Sequence, residues 1–207
     1  MKLVTIIDTD ICNITSVVNT FERIGCDIKI SNSKEDILSA EILVLPGVGS
    51  YEHGMSALKK FDLIDAIRDR VIKDKIPILG ICLGMQLLAE SSAEHGNHIG
   101  LGIIPGKVAK LESTDPGYRV PNMGWCDVIP DKESIMFPAN VENETYYHVH
   151  SYYFECASAS DVAAHISFNG KDIPVAVEKE NVIGMQFHPE KSQDKGLNLL
   201  TRIIRNF

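Results

Sequence analysis

Three continuous apolar runs constrain the fold more than any other feature: "KLVTIID" at 2–8, "EILVLPGVG" at 41–49 and "IPILGI" at 76–81. None alternates polar with apolar residues, so each reads as a strand covered on both faces, the condition of a parallel sheet between helices. Helical spacing fills the gaps between them. Ile14, Val17, Val18, Phe21 and Ile24 recur at helical intervals and Gly25 stops them. The segment "FDLIDAIRDRVIKDK" predicts an amphipathic helix with Leu63, Ile64, Ile67, Val71 and Ile72 on one face, and "MQLLAES" opens another after the third run. A short strand, "DIKI", stands between the first helix and the second run. Strands alternating with helices predict a sheet built by crossover connections.

Beyond residue 100 the texture changes. "GWCDVIP", "TYYHVHSYYFEC", "VAAHISF", "IPVAVEKE" and "VIGMQFH" read as strands, with short turns at "FNGKD" and "EKEN", and "KGLNLLTRIIRNF" closes as an amphipathic helix. The expected architecture is α/β: a mostly parallel central sheet flanked by helices, with added antiparallel strands. No repeat or flexible linker divides it, so residues 1–207 read as a single domain. At 44% hydrophobic residues the chain can bury a substantial core.

Charge and cysteine usage narrow the setting. Twenty Lys and Arg against 28 Asp and Glu leave a net charge of −8, which weighs against a general nucleic-acid or anionic-membrane surface. "MKLVTIIDTD" lacks the form of a signal peptide, and no stretch approaches the ~20 apolar residues that span a bilayer. Five scattered cysteines without a C-x-x-C pair fit a reducing, cytoplasmic setting.

Chemistry concentrates where strands end. Gly80-Ile81-Cys82-Leu83-Gly84 lies where the third run hands over to a helix, the context of a nucleophile elbow with cysteine in place of serine. Helix N-termini, with free N–H groups, favour a thiolate. A buried apolar filler is the plain alternative for Cys82. A second strand end changes the balance: "GMQFHPEKS" places His188 after a strand and Glu190 two residues on. A nucleophilic cysteine needs a base, and an imidazole works best with a carboxylate holding its tautomer. The turn at Pro189 must bring Glu190 back beside the ring. Attack on an amide also makes an oxyanion that needs N–H donors. The Leu83 amide and one from Gly47 or Val48, in the "PGVG" turn, are the candidates.

"PGVG", "GICLGMQ" and "GMQFHPEKS", in that order, resemble the class I glutamine amidotransferases. Between them "PNMGW" and "YYHVHSYY" are similar to the glutaminase subunit of imidazole glycerol phosphate synthase, and the likeness covers essentially the whole chain. The resemblance implies Cys82 as nucleophile, His188 as base and Glu190 as its orienter. It implies Gln86, Glu94 and the backbone around Ser151 and Tyr152 as the glutamine pocket. It also implies a heterodimer with a cyclase or synthase subunit, near Asn13, Met123 and Trp125. The reaction uses no cofactor: the thiolate attacks the side-chain amide of glutamine, ammonia leaves, and water cleaves the thioester. No P-loop or dinucleotide motif is present, so the ammonia is expected to serve a separate subunit in histidine biosynthesis.

Two stretches depart from the family pattern. The loop after the first strand reads "DTDICN" where the family has a glycine-rich D-Y-G-x-G-N, and "PNMGWC" carries Cys126 where asparagine is usual. Both regions face the partner by resemblance. Three rivals remain: a paralogue supplying ammonia for amidated surface sugars, a stand-alone γ-glutamyl hydrolase, and a non-catalytic binding subunit. His148 and His150 share a strand face, but no third and fourth ligand accompanies them, and no metal is expected. His95 and His98 read as solvated loop residues, and Cys12, Cys26 and Cys156 as inert.

Overall fold

A computed structural model describes residues 2–10, 14–139, 141 and 143–207. Asn13, expected at the partner face, lies outside the described residues. The first half runs β1 (Leu3–Ile7), α1 (Ile14–Arg23), β2 (Asp27–Ser31), α2 (Lys34–Leu38), β3 (Leu43–Gly47), α3 (Tyr51–Lys60), α4 (Ile64–Arg68), β4 (Ile78–Cys82) and α5 (Leu83–Leu87). The second half adds β5 (Ser91–Ser92), β6 (His98–Ile99), β7 (Gly106–Lys110), β8 (Asn122–Pro130), β9 (Glu144–His150), β10 (Tyr152–Cys156), β11 (Val162–Phe168), β12 (Lys171–Lys179), β13 (Val182–Met185) and α6 (Gln193–Asn206).

The larger sheet has the order β2-β1-β3-β4-β13-β12-β11-β8-β9. Its first five strands are parallel, and from β13 onward every pairing is antiparallel. The fold is therefore α/β with a parallel core and an antiparallel extension, flanked by helices. The apolar runs serve two cores at once. Val4 and Ile6 of β1 and Val44 of β3 join α1 and α6 on one side, through Val17, Phe21, Leu199 and Ile203. Ile7, Leu43 and Leu45 face the other side, with Ile37, Leu58 and Ile67 from α2, α3 and α4. A strand feeding both faces has no solvent side, which is why these runs lack alternation.

Local structure departs from the sequence expectation in several places. The run 145–156 is two strands: β9 closes the large sheet, whereas β10 opens a second one, β10-β7-β5-β6. Ser151 is the corner, its carbonyl accepting from Leu111 N at 2.8 Å. The helix expected over 61–75 is α4 followed by a π turn at Asp69–Lys73. The wider turn adds a residue per turn and rotates Ile72, expected on the buried face, to 40% exposure, while Leu63, Ile67 and Val71 stay buried. Helix α5 is only five residues long. Its last carbonyls are taken by a crossing segment: Leu101 N donates to Leu87 O and Ile103 N to Leu88 O, each at 2.9 Å. Helices α2 and α3 had not been expected, although Ser33 and Ser50 cap them by accepting from Asp36 N and His53 N.

Candidate active site

Cys82 is the last residue of β4 and directly precedes α5, with φ 55° and ψ −111°. A non-glycine residue held in this region is strained and persists because its surroundings fix it. The two flanking glycines supply that constraint through close approach. A Cβ on Gly84 would lie 1.7 Å from the Leu45 carbonyl oxygen, and one on Gly80 would lie 2.8 Å from backbone atoms of Gly84 and Met85. The helix therefore starts hard against the sheet, and the strand-to-helix turn tips Cys82 toward a cavity of about 630 Å³.

His188 lines the same cavity. Strand β13 ends at Met185, before the expected His188, because the chain drifts off the ladder. Gln186 N donates to Val175 O at 2.8 Å, and His188 N crosses to Tyr147 O on β9 at 2.9 Å. Ser192, fully buried, locks that crossing: its hydroxyl donates to His188 O at 2.6 Å and accepts from Tyr147 N at 3.0 Å. A 3₁₀ turn over Pro189–Lys191 folds Glu190 back, so that Oε1 lies 2.8 Å from His188 Nδ1. With Nδ1 carrying a proton to the carboxylate, Nε2 is free to act toward Cys82. Nε2 is buried and makes no regular hydrogen bond. Burial opposes charge on this ring, but the nearby Cys82 sulfur and the Glu190 carboxylate outweigh it, and its pKa is pushed up to about 9.

The remaining expected pocket residues converge on this cavity. Gln86, Glu94, Ser151, Tyr152, Val48 and Leu83 line it. Gln86 Nε2 donates to Tyr152 O at 3.2 Å and to Gln186 Oε1 at 2.9 Å. Glu94 Oε2 accepts from Tyr51 N at 2.7 Å, which anchors it at the start of α3. Gly47 stands opposite Cys82 in the β3–β4 register and lines a separate small crevice with His188 and Glu190. Two contributors had gone unrecognised in the sequence, Gln186 and Ser192. Alternation along "MQFH" gives the one available signal for Gln186, since it puts that side chain on the face of His188.

Met123 and Trp125 project from β8 at 63% and 49% exposure, a large apolar surface for one strand. Trp125 packs edge-on against Tyr147 (centroids 6.0 Å apart), and Tyr147 leans on His188 (6.5 Å). Cys126 pairs with Asn122, whose amide lies 3.6 Å from the sulfur. His148 and His150 are both buried, with Nδ1 and Nε2 3.3 Å apart. Burial holds both below the ordinary histidine range, His150 at about 4. Among the described residues no group of three or more His, Cys, Asp or Glu could hold a metal ion, and no helix is long and apolar enough to cross a membrane.

Comparison with known proteins gives a consistent set. The family model described as class-I glutamine amidotransferase matches residues 5–206. Imidazole glycerol phosphate synthase subunit HisH 2 of Methanococcus maripaludis is 39% identical over 203 residues, covering 98% of this chain and 99% of the relative. The subunit of that name from Vibrio vulnificus is 42% identical over 207 residues, covering 99% and 94%. In fold, the chain matches the structure of PurLQS from Thermotoga maritima with a TM-score of 0.77 at 17% identity, over 99% of this chain and 98% of the other.

Proposed function

The chain belongs to the class I glutamine amidotransferase family, and from that membership we propose that it is the glutaminase subunit of imidazole glycerol phosphate synthase. In this reading residues 1–207 act as one amidotransferase domain that makes ammonia for a separate cyclase subunit in histidine biosynthesis. Four cysteines among the described residues are free thiols, in keeping with a cytoplasmic setting. The observation that carries the reading is His188 held at 2.8 Å by Glu190 within one cavity with the strained Cys82.

The chemistry follows from that arrangement. The Cys82 sulfur, as an anion, attacks the side-chain carbonyl carbon of glutamine. The resulting oxyanion is met by the Leu83 amide and by an N–H of the Gly47–Val48 turn, replacing water with fixed donors. His188, protonated at neutral pH, gives its Nε2 proton to the departing nitrogen, and ammonia leaves. A glutamyl thioester remains on Cys82. His188, now neutral, takes a proton from water, which attacks the thioester and releases glutamate and the sulfur anion. Glu190 keeps the ring in one tautomer through both half-reactions. Gln86, Glu94 and the Ser151–Tyr152 backbone hold the amino-acid end of the substrate. The exposed Met123–Trp125 face of β8 receives the cyclase.

The test is glutamine hydrolysis by the chain alone, with the cyclase, and with cyclase plus its nucleotide ligand. Stimulation by the liganded cyclase is expected, together with complete loss in Cys82→Ala. Synthesis from added ammonium salts should survive in the Cys82→Ala complex, because free ammonia bypasses this subunit. Glutaminase activity retained by Cys82→Ala would overturn the assignment. The departures at "DTDICN" and Cys126 favour one second reading, the paralogue that serves a sugar-amidating synthase. Stimulation by such a synthase and not by the histidine cyclase would select it.

A further inference from the structure

Gln186 is fully buried and ends beside the nucleophile, with Nε2 3.7 Å from Cys82 Sγ. Which end of its amide faces the sulfur is settled by its neighbours. The Tyr152 carbonyl can only accept, so the Gln86 atom 3.2 Å from it is the amino group. That amino group also meets Gln186 at 2.9 Å and must find an acceptor there, which is Oε1. Gln186 therefore turns its own amino group to Cys82. The first carbonyl is fixed in turn, because Tyr152 O accepts from His150 Nδ1 at 2.9 Å as well. The main chain of Gln186 is tied to Val175 O. Every rotatable part of the amide thus has a partner, and each partner enforces the same orientation.

An N–H directed at a neutral thiol gains little, because sulfur is a weak acceptor. The same donor directed at a sulfur anion makes a charge-assisted bond, of the stronger class. A fully buried amide with its donor end on this sulfur thus has its main effect when the sulfur is charged. On the basis of the glutaminase reading, we propose that Gln186 is a positioning residue for Cys82: its amino group, oriented by Gln86, holds the sulfur in its attacking direction and faces the charge it carries. A corollary concerns Gln86. Both its N–H bonds are committed inward, to Tyr152 O and Gln186 Oε1, which leaves its own Oε1 as an acceptor in the cavity wall.

The experiment uses the full chain in complex with its cyclase and two variants. Gln186→Leu removes donor and acceptor. Gln186→Glu is isosteric, keeps an acceptor for Gln86 and replaces the donor facing the sulfur. Two readouts separate positioning from packing: the second-order alkylation rate of Cys82 by iodoacetamide, quantified on the Cys82 peptide, and kcat and KM for glutamine. All are taken at one pH, so that the titratable groups around the sulfur (His188, Glu190 and, from β9, His150) enter equally. Loss of one charge-assisted bond predicts alkylation and kcat lower by about 10- to 100-fold in both variants. KM in Gln186→Glu should change less than about threefold, since Gln86 keeps its partner. Should Gln186→Leu fail to fold, the isosteric variant decides alone. Alkylation within twofold of the unsubstituted chain, in a folded variant, overturns the proposal, whatever happens to kcat. A wild-type complex with no Cys82-dependent hydrolysis would instead overturn the glutaminase reading on which it rests.

Discussion

Acid should weaken this fold well before its carboxylates titrate, and His150 sets the size of the effect. The side chain is buried, its Nδ1 gives a hydrogen to Tyr152 O, and its Nε2 faces His148 and Asn122. Burial holds its pKa down to about 4, against 6.5 for the exposed ring. Between those values the unfolded chain takes up a proton on this residue that the folded chain refuses. Stability therefore falls as pH falls through that window. For one such group the loss between pH 7 and pH 5 works out at about 2 kcal/mol, rising to about 3 kcal/mol once both states are protonated. His148, also held down by burial, acts in the same direction. His188 acts in the opposite one. Its folded-state pKa is raised to about 9, so its contribution is complete below 6.5 and is lost as pH rises through 9. The carboxylates held below their usual range, such as Asp36 and Glu180, lose their contributions at lower pH than this window. Urea unfolding at pH 7, 6 and 5 and constant ionic strength measures the slope, with His150→Gln as the comparison. The variant should start less stable, because it loses hydrogen bonds, but should lose about 2 kcal/mol less on acidification. Equal slopes in the two proteins, or an unsubstituted chain that is flat from pH 7 to 5, would refute the reasoning.

Other perturbations test separate parts of the structure. Glu190→Gln keeps an acceptor for His188 Nδ1 but removes the charge that supports the imidazolium. The glutaminase rate in the complex should fall by about 10- to 100-fold, less than general acid–base loss at its maximum, and the alkaline limb of the pH–rate profile should move down. An unchanged profile would remove Glu190 from the mechanism. Gly84→Ala places a methyl group 1.7 Å from the Leu45 carbonyl, where no rotamer can relieve it. A loss of about 3 kcal/mol or more in denaturant stability is expected, and a loss under about 1 kcal/mol would mean that the helix start can move. Met123→Asp should weaken association with the cyclase in a titration without changing the unfolding midpoint, since the residue is 63% exposed. Unaltered association would take β8 out of the interface.

The parallel half of the fold was readable because its signals are local. Unbroken apolar runs mark strands buried on both faces, and β1, β3 and β4 lie where the runs lie. Apart from α2 and α3, whose serine caps are local signals that the apolar runs overshadow, the largest departure was decided by partners far along the chain. The twelve residues of "TYYHVHSYYFEC" carry one uniform strand pattern, yet Ser151 turns between two sheets because β9 pairs with β8 and β10 with β7. Propensity has no term for which neighbour a strand will meet. The π turn after α4 is hidden for a different reason: the four-residue spacing of Leu63, Ile67 and Val71 continues into it and reads as an uninterrupted helix.

The site divides along the same line. Cys82, His188 and Glu190 stand out in the sequence as candidates because the proposed chemistry would place them in short, punctuated motifs: glycines where backbones touch, and a proline where the chain must fold back on its histidine. Gln86 and Tyr152 enter the sequence reading only through the family resemblance, and Gln186 not at all, because none of them has such a local requirement. Their contacts span 66 to 104 positions in sequence, and each amide alone is compatible with a solvated surface. Only the pairing gives them a direction. A carbonyl that can only accept fixes one amide, that amide fixes the next, and the last donor points at sulfur. Buried polar groups must be satisfied together, so the orientation at Cys82 is a property of the whole chain of bonds. The sequence contains its members but not their order. This is also why substitution at Gln186 should be felt at Cys82, 104 residues away, while the motifs around Cys82 and His188 keep their sequence.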